Sequence, residues 1–263
     1  MPLGDSVPRL RDQGLKVDVK RPDPAASAVP VRADILVTDL IDHTGLGLGL
    51  LPTLDHAARK LLQPGAVVVP SAIRISAVLM EMRVGKVCGF DLSYLDVYRW
   101  HPKDERVDLS SVPHRVLSAP FSVAAIDLQA RADALTTAGR RGAPPAPSPL
   151  GPGEWEEDFE VEVEVTAPGG WNCVAFWFEL DLGGGVTVAS WAGPSAAAAG
   201  AGGAAVAASW GQAVQYIDEI QVEKGRPQKL RVRRDGRQVV FTPTPPPRRA
   251  RHACAPRRLR GRA

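Results

Sequence analysis

The chain has 263 residues, 44% of them hydrophobic, which is enough to bury a core in one large domain or two small ones. No apolar run approaches the length of a membrane span, and the N-terminus lacks the pattern of a secretory signal. The net charge of +3 belongs to residues 248–263, which hold seven arginines and no acid. Subtracting those seven charges leaves −4 for residues 1–247.

The arginine-rich end suggests what the chain could contact, and the cysteines indicate its compartment. A tail over 243–263, rich in Pro, Ala and Arg, cannot bury enough surface to fold, so we predict it to be disordered. It could contact nucleic acid or an acidic partner, although a solvated extension is the simpler interpretation. Cys88, Cys173 and Cys254 share no metal-ligand spacing. They indicate a reduced compartment, cytoplasmic or nuclear, and no metal site.

The first elements along the chain predict one β-α-β unit. The run "ADILVTDL" (33–40) is typical of a strand buried in a parallel sheet. The segment "LPTLDHAARKLLQPG" (51–65), with Leu50 before it, carries leucine and alanine at helical spacing as far as Leu62 and stops at Pro64-Gly65. The run "AVVVP" (66–70) follows as a second short buried strand.

From Ser71 onward the pattern changes to short strands with two-residue alternation. They are "IRISAVLMEM", "FEVEVEV", "VAFWFELDL", "GVTVASW", "AVQYI", "KLRVRR" and "RQVVF". Such a series predicts an antiparallel barrel or sandwich with a boundary near Pro70, and large aromatics such as Trp177 and Phe178 are expected to anchor its core. Two low-complexity stretches, 136–153 and 193–208, are predicted to be surface insertions.

Three glycines spaced Gly45-x-Gly47-x-Gly49 follow the first strand, where nucleotide-binding folds place a phosphate loop. Such a loop requires a ribose-binding acid after the second strand. The first acid after "AVVVPSA" is Glu81, inside a barrel-type strand. The glycines are therefore not interpreted as a cofactor loop.

The segment "ADILVTDLIDHTGLGLGLLPTLDHAARKLLQPGAVVVPSA" resembles the late part of the catalytic domain of protein arginine N-methyltransferases, most closely the branch with tandem domains. In that family the strand ends in a loop with two glutamates nine residues apart, written Val-Thr-Glu-Leu-x-Asp and then Gly-Glu-Gly. Asp39 takes the first acidic position here, and Leu48 takes the second, where the acid is lost. The glycines would let the loop double back beside the substrate pocket.

The resemblance continues downstream and covers roughly residues 15–242. The segment "CGFDLSYLDVYRWHP" is similar to the family's Gly-Phe-Asp segment, and "VAFWFELDL" to its central barrel strand. The segment "ASWGQAVQYI" is similar to the Thr-His-Trp-x-Gln loop, with Ala208, Ser209, Trp210 and Gln212 at those positions. Ser209 therefore replaces a histidine.

Several residues of this candidate site have two interpretations. Asp42 could compensate for the lost acid, but an Asp before His-Thr-Gly more often caps its turn. His43 could face the pocket, although a turn histidine usually faces solvent, and His56 is expected on a helix surface. Trp210 could line the pocket or belong to the core. Asp42, Ser209 and Trp210 are thus the candidate substrate-binding residues, beside the acidic positions 39 and 48.

The resemblance implies a fold of class α/β + β, in which the C-terminal half of a Rossmann-like methyltransferase domain (15–70) precedes a β-barrel or sandwich (71–242). It implies S-adenosylmethionine as cofactor and an arginine-containing protein as substrate. The family's glycine-rich cofactor loop has no counterpart in residues 1–14, which are predicted to be disordered. The chain therefore resembles a truncated, weak or inactive enzyme. The alternatives are a non-catalytic module that binds or dimerises with an intact methyltransferase, and an incomplete product whose upstream sequence would restore activity.

Overall fold

The computed structural model describes residues 32–83, 85–98, 104–137, 156–191, 193 and 205–244. The predicted disordered segment 1–14, most of the two predicted insertions and residues 245–263 of the predicted tail lie outside the described residues. The tail was predicted to start too early, because its first two residues, Pro243 and Thr244, belong to a strand. Among the helices in the described ranges, none is long and apolar enough to cross a membrane.

Two α-helices and fifteen strands make up the described part of the chain. The helices are α1 (Leu50–Lys60) and α2 (Leu128–Thr137), and two 3-10 helices span Ser93–Tyr98 and Ala208–Trp210. The strands are β1 (Ala33–Val37), β2 (Leu62–Val69), β3 (Ala72–Met82), β4 (Lys86–Val87), β5 (Phe90–Asp91), β6 (Glu105–Val107), β7 (His114–Val116), β8 (Phe121–Asp127), β9 (Glu157–Val163), β10 (Gly169–Asp181), β11 (Thr187–Ala189), β12 (Ala205–Val206), β13 (Gln212–Val222), β14 (Gln228–Arg234) and β15 (Val239–Thr244).

Strands β1 and β2 pair in parallel on either side of α1 in sequence, in the order that the pattern predicts. The register places Ile35 opposite Val67 and Val37 opposite Val69. Helix α1 forms because its apolar residues recur at helical spacing and give it one buried face. That face consists of Leu50, Leu51, Leu54, Ala57 and Ala58.

Two expectations for this unit are wrong. The helix ends at Lys60 instead of reaching Pro64, because Leu62 already pairs with Ala33 at the start of β2. Strand β1 is not buried on both faces, since Ile35 is 60% exposed and Val37 is 72% exposed. Both helices contact β2, whereas the face of β1 that carries Ile35 and Val37 is exposed among the described residues.

Helix α2 was not predicted, because its sequence lies among strands and runs into a low-complexity stretch. Its last two residues, Thr136 and Thr137, also correct the predicted insertion 136–153, which starts too early. The helix is tied to β2 by Gln129, whose Oε1 accepts from the Val68 N–H (2.8 Å) and whose Nε2 donates to the Ala66 carbonyl (2.9 Å). A side-chain amide therefore occupies the outer edge of β2 as a neighbouring strand would.

Eight strands form one large mixed sheet. Strand β10 lies at its centre, with β3 along one edge and β13 followed by β11 along the other. Strands β7 and β8 pair with the far edge of β3, and β6 pairs with β13. These pairs are antiparallel, whereas β12 pairs with β11 in parallel. Because β12 spans Ala205–Val206, the predicted insertion 193–208 is also too long at its end.

A three-stranded antiparallel sheet, in the order β15-β14-β9, shares its core with the large sheet. Phe176 of β10 and Phe241 of β15 are both buried, with ring centroids 5.3 Å apart. Gln215 of β13 joins the sheets through its amide, which donates to the Phe241 carbonyl (2.7 Å) and accepts from the Phe241 N–H (2.9 Å). Of the two predicted aromatic anchors, Phe178 is fully buried, whereas Trp177 is half-buried in a separate smaller cluster.

Candidate functional site

The glycine turn after β1 is closed by one carboxylate. Asp42 Oδ1 accepts hydrogen bonds from the N–H of Gly47 (3.0 Å), the N–H of Thr44 (3.1 Å) and the hydroxyl of Thr44 (2.7 Å). The Thr44 hydroxyl oxygen also accepts from the N–H groups of Leu46 (3.3 Å) and Gly47 (3.1 Å). An aspartate that accepts several hydrogen bonds within its own turn is a cap. Of the two roles considered for Asp42, compensation for the lost acid and capping of the turn, its hydrogen bonds have the geometry of a cap.

The three glycines meet different requirements. Gly45 and Gly49 have φ angles of +87° and +78°, in the region that L side chains rarely adopt. Gly47 is required for space, because a Cβ atom there would collide with the carboxylate of Asp42. Gly45 also lies tightly against the core, since a Cβ on it would be 3.1 Å from Ile73 Cδ1 and 3.3 Å from Phe178 Cβ. The turn is therefore fixed by packing as well as by its cap.

Both acidic positions of the loop face solvent. Asp39 is exposed, and its carbonyl oxygen accepts the N–H of Ile41 at 2.6 Å. Leu48 is 57% exposed, which is unusual for a leucine in a turn that is otherwise packed against the core. A side chain at position 48 thus projects away from the capped interior of the turn.

The structure brings Trp210 to the glycine turn through one core aromatic. Phe178, which lies under Gly45, also contacts the Trp210 ring, with centroids 5.2 Å apart and an interplanar angle of 66°. Trp210 is half-buried, so its ring contacts the core and also reaches the surface. The turn and the segment Ala208–Trp210, separated by more than 150 residues in sequence, are neighbours in the fold.

Ser209 lies on the exposed side of that segment. Its carbonyl oxygen accepts from the Arg106 guanidinium, which also donates through Nε to the Trp210 carbonyl at 2.8 Å. Arg106 was not singled out in the sequence, because one arginine in a short strand gives no signal of a contact 104 residues away. It fixes the backbone of the Ser209-Trp210 segment.

His43 forms a side-chain hydrogen bond that the sequence did not predict. Its Nε2 lies 2.8 Å from Asp104 Oδ2, and the side chains are 22% and 20% exposed. The expectation of a solvent-facing turn histidine is therefore wrong, because Asp104 covers one side of the ring. His56 is exposed on α1, as predicted. The His43–Asp104 pair joins the glycine turn to the segment that begins β6.

Comparison with known proteins shows which proteins the chain is similar to. No family model matches the chain. Over 181 residues, or 64% of its length, the chain is 32% identical to an arginine N(omega)-methyltransferase from Streptomyces achromogenes subsp. streptozoticus, of which it spans 44%. Over 55 residues it is 44% identical to protein arginine N-methyltransferase 7 from Cricetulus longicaudatus, of which it spans 8%.

The chain is similar in sequence to protein arginine N-methyltransferases. It spans less than half the length of these two relatives. A solved structure, described as the Trypanosoma brucei PRMT1 enzyme-prozyme heterotetrameric complex with AdoHcy, has the same fold. Its TM-score is 0.51 at 14% identity, over 81% of this chain and 63% of that chain.

Gln212, the glutamine of the segment Trp210-x-Gln212, holds neighbouring strands together. Gln212 is buried, and its Nε2 donates to the Ser190 carbonyl at 2.6 Å. Its Oε1 accepts the N–H of Leu109 at 2.8 Å. Both ends of the amide are therefore used within the core, and Gln212 positions the segment that carries Trp210.

The glycine turn does not fit the cofactor that the family implies. A phosphate or nucleoside would need free backbone N–H groups at this turn. The N–H of Gly45 donates to the Asp42 carbonyl (3.0 Å), that of Gly49 to the Leu46 carbonyl (3.0 Å), and that of Gly47 to the Asp42 and Thr44 side chains. All three groups are thus satisfied within the turn. In the described ranges no three acids, histidines or cysteines are grouped as metal ligands.

Proposed function

We propose that this chain is a protein arginine methyltransferase-like protein that presents the substrate-facing loop of the family and is weak or inactive by itself. The observation that carries the proposal is Leu48, an exposed apolar side chain at the second acidic position of a loop that otherwise keeps its capped geometry. The proposal is supported by two features together: the turn keeps its hydrogen bonds, and its second acidic position has no charge.

The chemistry of the guanidinium explains why that position matters. Arginine stays protonated in proteins and carries its charge over a planar fork of five N–H donors. Two carboxylates can hold both edges of the fork and offset its charge. Asp39 offers one carboxylate, one methylene shorter than glutamate, and Leu48 offers none. Asp42 is a poor replacement, because its Oδ1 already accepts three hydrogen bonds inside the turn.

The proposal is tested with a fusion protein that places the cofactor-binding half of a related methyltransferase before the full chain. Methyl transfer to an arginine peptide and to free arginine is measured with Leu48 or with Leu48→Glu. Both substrates are needed, because the name of the Streptomyces relative specifies arginine and that of the other relative specifies protein arginine.

We expect activity near background with Leu48 and a rise of about 10²-fold with Leu48→Glu, the scale of one preorganised electrostatic partner. Asp39→Ala in the Leu48→Glu fusion should abolish the rise, because one carboxylate cannot hold both edges of the fork. Full activity of the Leu48 fusion would overturn the proposal.

A second function, a non-catalytic module that binds an intact methyltransferase, is favoured by the exposed face of the β1–β2 sheet. Ile35, Val37 and Val67 are 60%, 72% and 51% exposed and lie side by side on adjacent strands. Contiguous exposed apolar side chains mark interaction surfaces. Light scattering of the chain mixed with an intact family enzyme tests this function. A mixed complex that is lost with Val37→Lys supports it, and two separate species reject it.

A further inference from the structure

The turn between β14 and β15 places an arginine beside the glycine turn. Asp235 Oδ1 accepts the N–H groups of Arg237 (2.7 Å) and Gln238 (2.9 Å), and its Oδ2 accepts Nε2 of Gln238 (3.1 Å). These bonds fix the backbone of the turn. Arg237 Nε then lies 4.0 Å from the position that a Cβ atom on Gly49 would occupy.

The contact brings the Arg237 side chain close to the N-terminus of α1. Gly49 is the N-cap of α1, and the first turn of α1 contains no acid. A helix N-terminus carries a partial positive charge, so a cation beside it is unfavourable unless an anion offsets both. Within the described ranges, Arg237 takes part in no ion pair with a carboxylate. Arg237 therefore brings a cation close to Gly49, the residue that follows the exposed Leu48 in the chain.

We propose that Arg237 is a specificity-determining residue of this loop. Its fixed positive charge opposes a substrate guanidinium at the mouth of the loop, and it is the partner that an acid at position 48 would pair with first. This inference rests on the proposed function, in that position 48 is taken as an acidic position of the substrate loop. The Cα atoms of positions 48 and 49 are about 3.8 Å apart, so a glutamate at 48 is next in sequence to the residue whose Cβ would lie 4.0 Å from Arg237 Nε.

The pairing is tested in the full chain by a double-mutant cycle. Thermal unfolding midpoints are measured for the wild type, Leu48→Glu, Arg237→Gln and the double variant, at low salt and in 1 M NaCl. A surface pair predicts that the stabilisation by Leu48→Glu is larger by about 1–4 °C when Arg237 is present, and that this difference disappears at high salt. The effect of the new acid on the helix dipole is common to both backgrounds and cancels in the cycle.

Arg226, an exposed arginine in the turn before β14, provides the matched control. Arg226→Gln should leave the effect of Leu48→Glu unchanged. Additive effects of Leu48→Glu and Arg237→Gln at low salt would overturn the pairing.

A kinetic measurement tests the selection of substrate. In the Leu48→Glu fusion, Arg237→Gln should lower KM for an arginine peptide by about 3- to 10-fold and leave kcat unchanged, because the residue acts on binding of the cation. An unchanged KM would overturn the specificity role. Failure of the proposed function is distinguishable, because the Leu48 fusion would then already be fully active while the coupling in thermal unfolding persisted.

Discussion

The carboxylate of Asp42 fills the space that a side chain on Gly47 would need, and it accepts the Gly47 N–H at 3.0 Å. Gly47→Ala should therefore lower the free energy of unfolding by about 1–3 kcal/mol, the usual cost of overpacking. Urea denaturation measures the change. In an Asp42→Ala background the collision is absent, so the same substitution should cost less there. Equal costs in both backgrounds would show that Asp42 is not the obstacle.

The ion pair between Asp55 of α1 and Arg131 of α2 should contribute strongly to the packing of the two helices. It is bidentate, with distances of 3.0 and 2.8 Å, and the Asp55 and Arg131 side chains are 9% and 16% exposed. Arg131→Met should cost about 3 kcal/mol, because it leaves the Asp55 carboxylate buried without this partner. Chemical denaturation provides the measurement.

The exposed pair between Arg74 and Glu179 is the control for that prediction. Its side chains are 59% and 38% exposed, so Arg74→Met should cost no more than about 1 kcal/mol. The Asp55→Leu, Arg131→Met double variant should be more stable than Arg131→Met alone. Similar costs for Arg74→Met and Arg131→Met would contradict the importance given to burial.

The pair between Asp158 and Arg231 should make stability depend on pH in the acidic range. The two hydrogen bonds from the Arg231 guanidinium hold the pKa of Asp158 below its usual value. Because the unfolded pKa is about 3.9, the pair stabilises the fold above that pH and loses this effect as the pH falls through the folded pKa. The difference in unfolding midpoint between wild type and Asp158→Asn should thus shrink below about pH 4. A difference that grows on acidification would refute the assignment.

The chain on its own should not bind S-adenosylmethionine with micromolar affinity. The backbone N–H groups of Gly45, Gly47 and Gly49 all donate to acceptors within the turn, so the turn has no free glycine N–H group to offer a nucleoside. Isothermal titration of the purified chain is the measurement, with an intact family enzyme as positive control. Micromolar binding would mean that other residues form a cofactor site.

The sequence predicts best those elements whose pattern is set by their own residues. Strands β9 and β14 follow their two-residue alternation, because each has an inner and an outer face, whereas β3 and β10 are buried on both faces over residues 77–80 and 173–176. Helix α2 escaped prediction because it is short, lies among strands and runs into a low-complexity stretch, so that its four buried residues give only a brief apolar pattern. The exposure of Val37 also contradicts its pattern, since an apolar run does not reveal whether both faces of a strand are covered.

The candidate site was predictable only where a motif marks it. Asp39, Leu48 and Trp210 were identified by resemblance, and the capping alternative for Asp42 followed from turn chemistry. The contacts between distant segments were not predictable. His43 and Asp104 are 61 residues apart, and a short local pattern carries no information about which distant acid a histidine will meet.

The amide of Gln129 determines at which edge the small parallel sheet can gain a further strand. It takes the hydrogen bonds of Ala66 and Val68 on the outer edge of β2, so a strand arriving there would have to displace a side chain already in register. Among the described residues, no side-chain amide occupies the outer edge of β1 in this way. Any strand added to this sheet, whatever its origin, would therefore be added beyond β1, and the parallel sheet can lengthen at one end only.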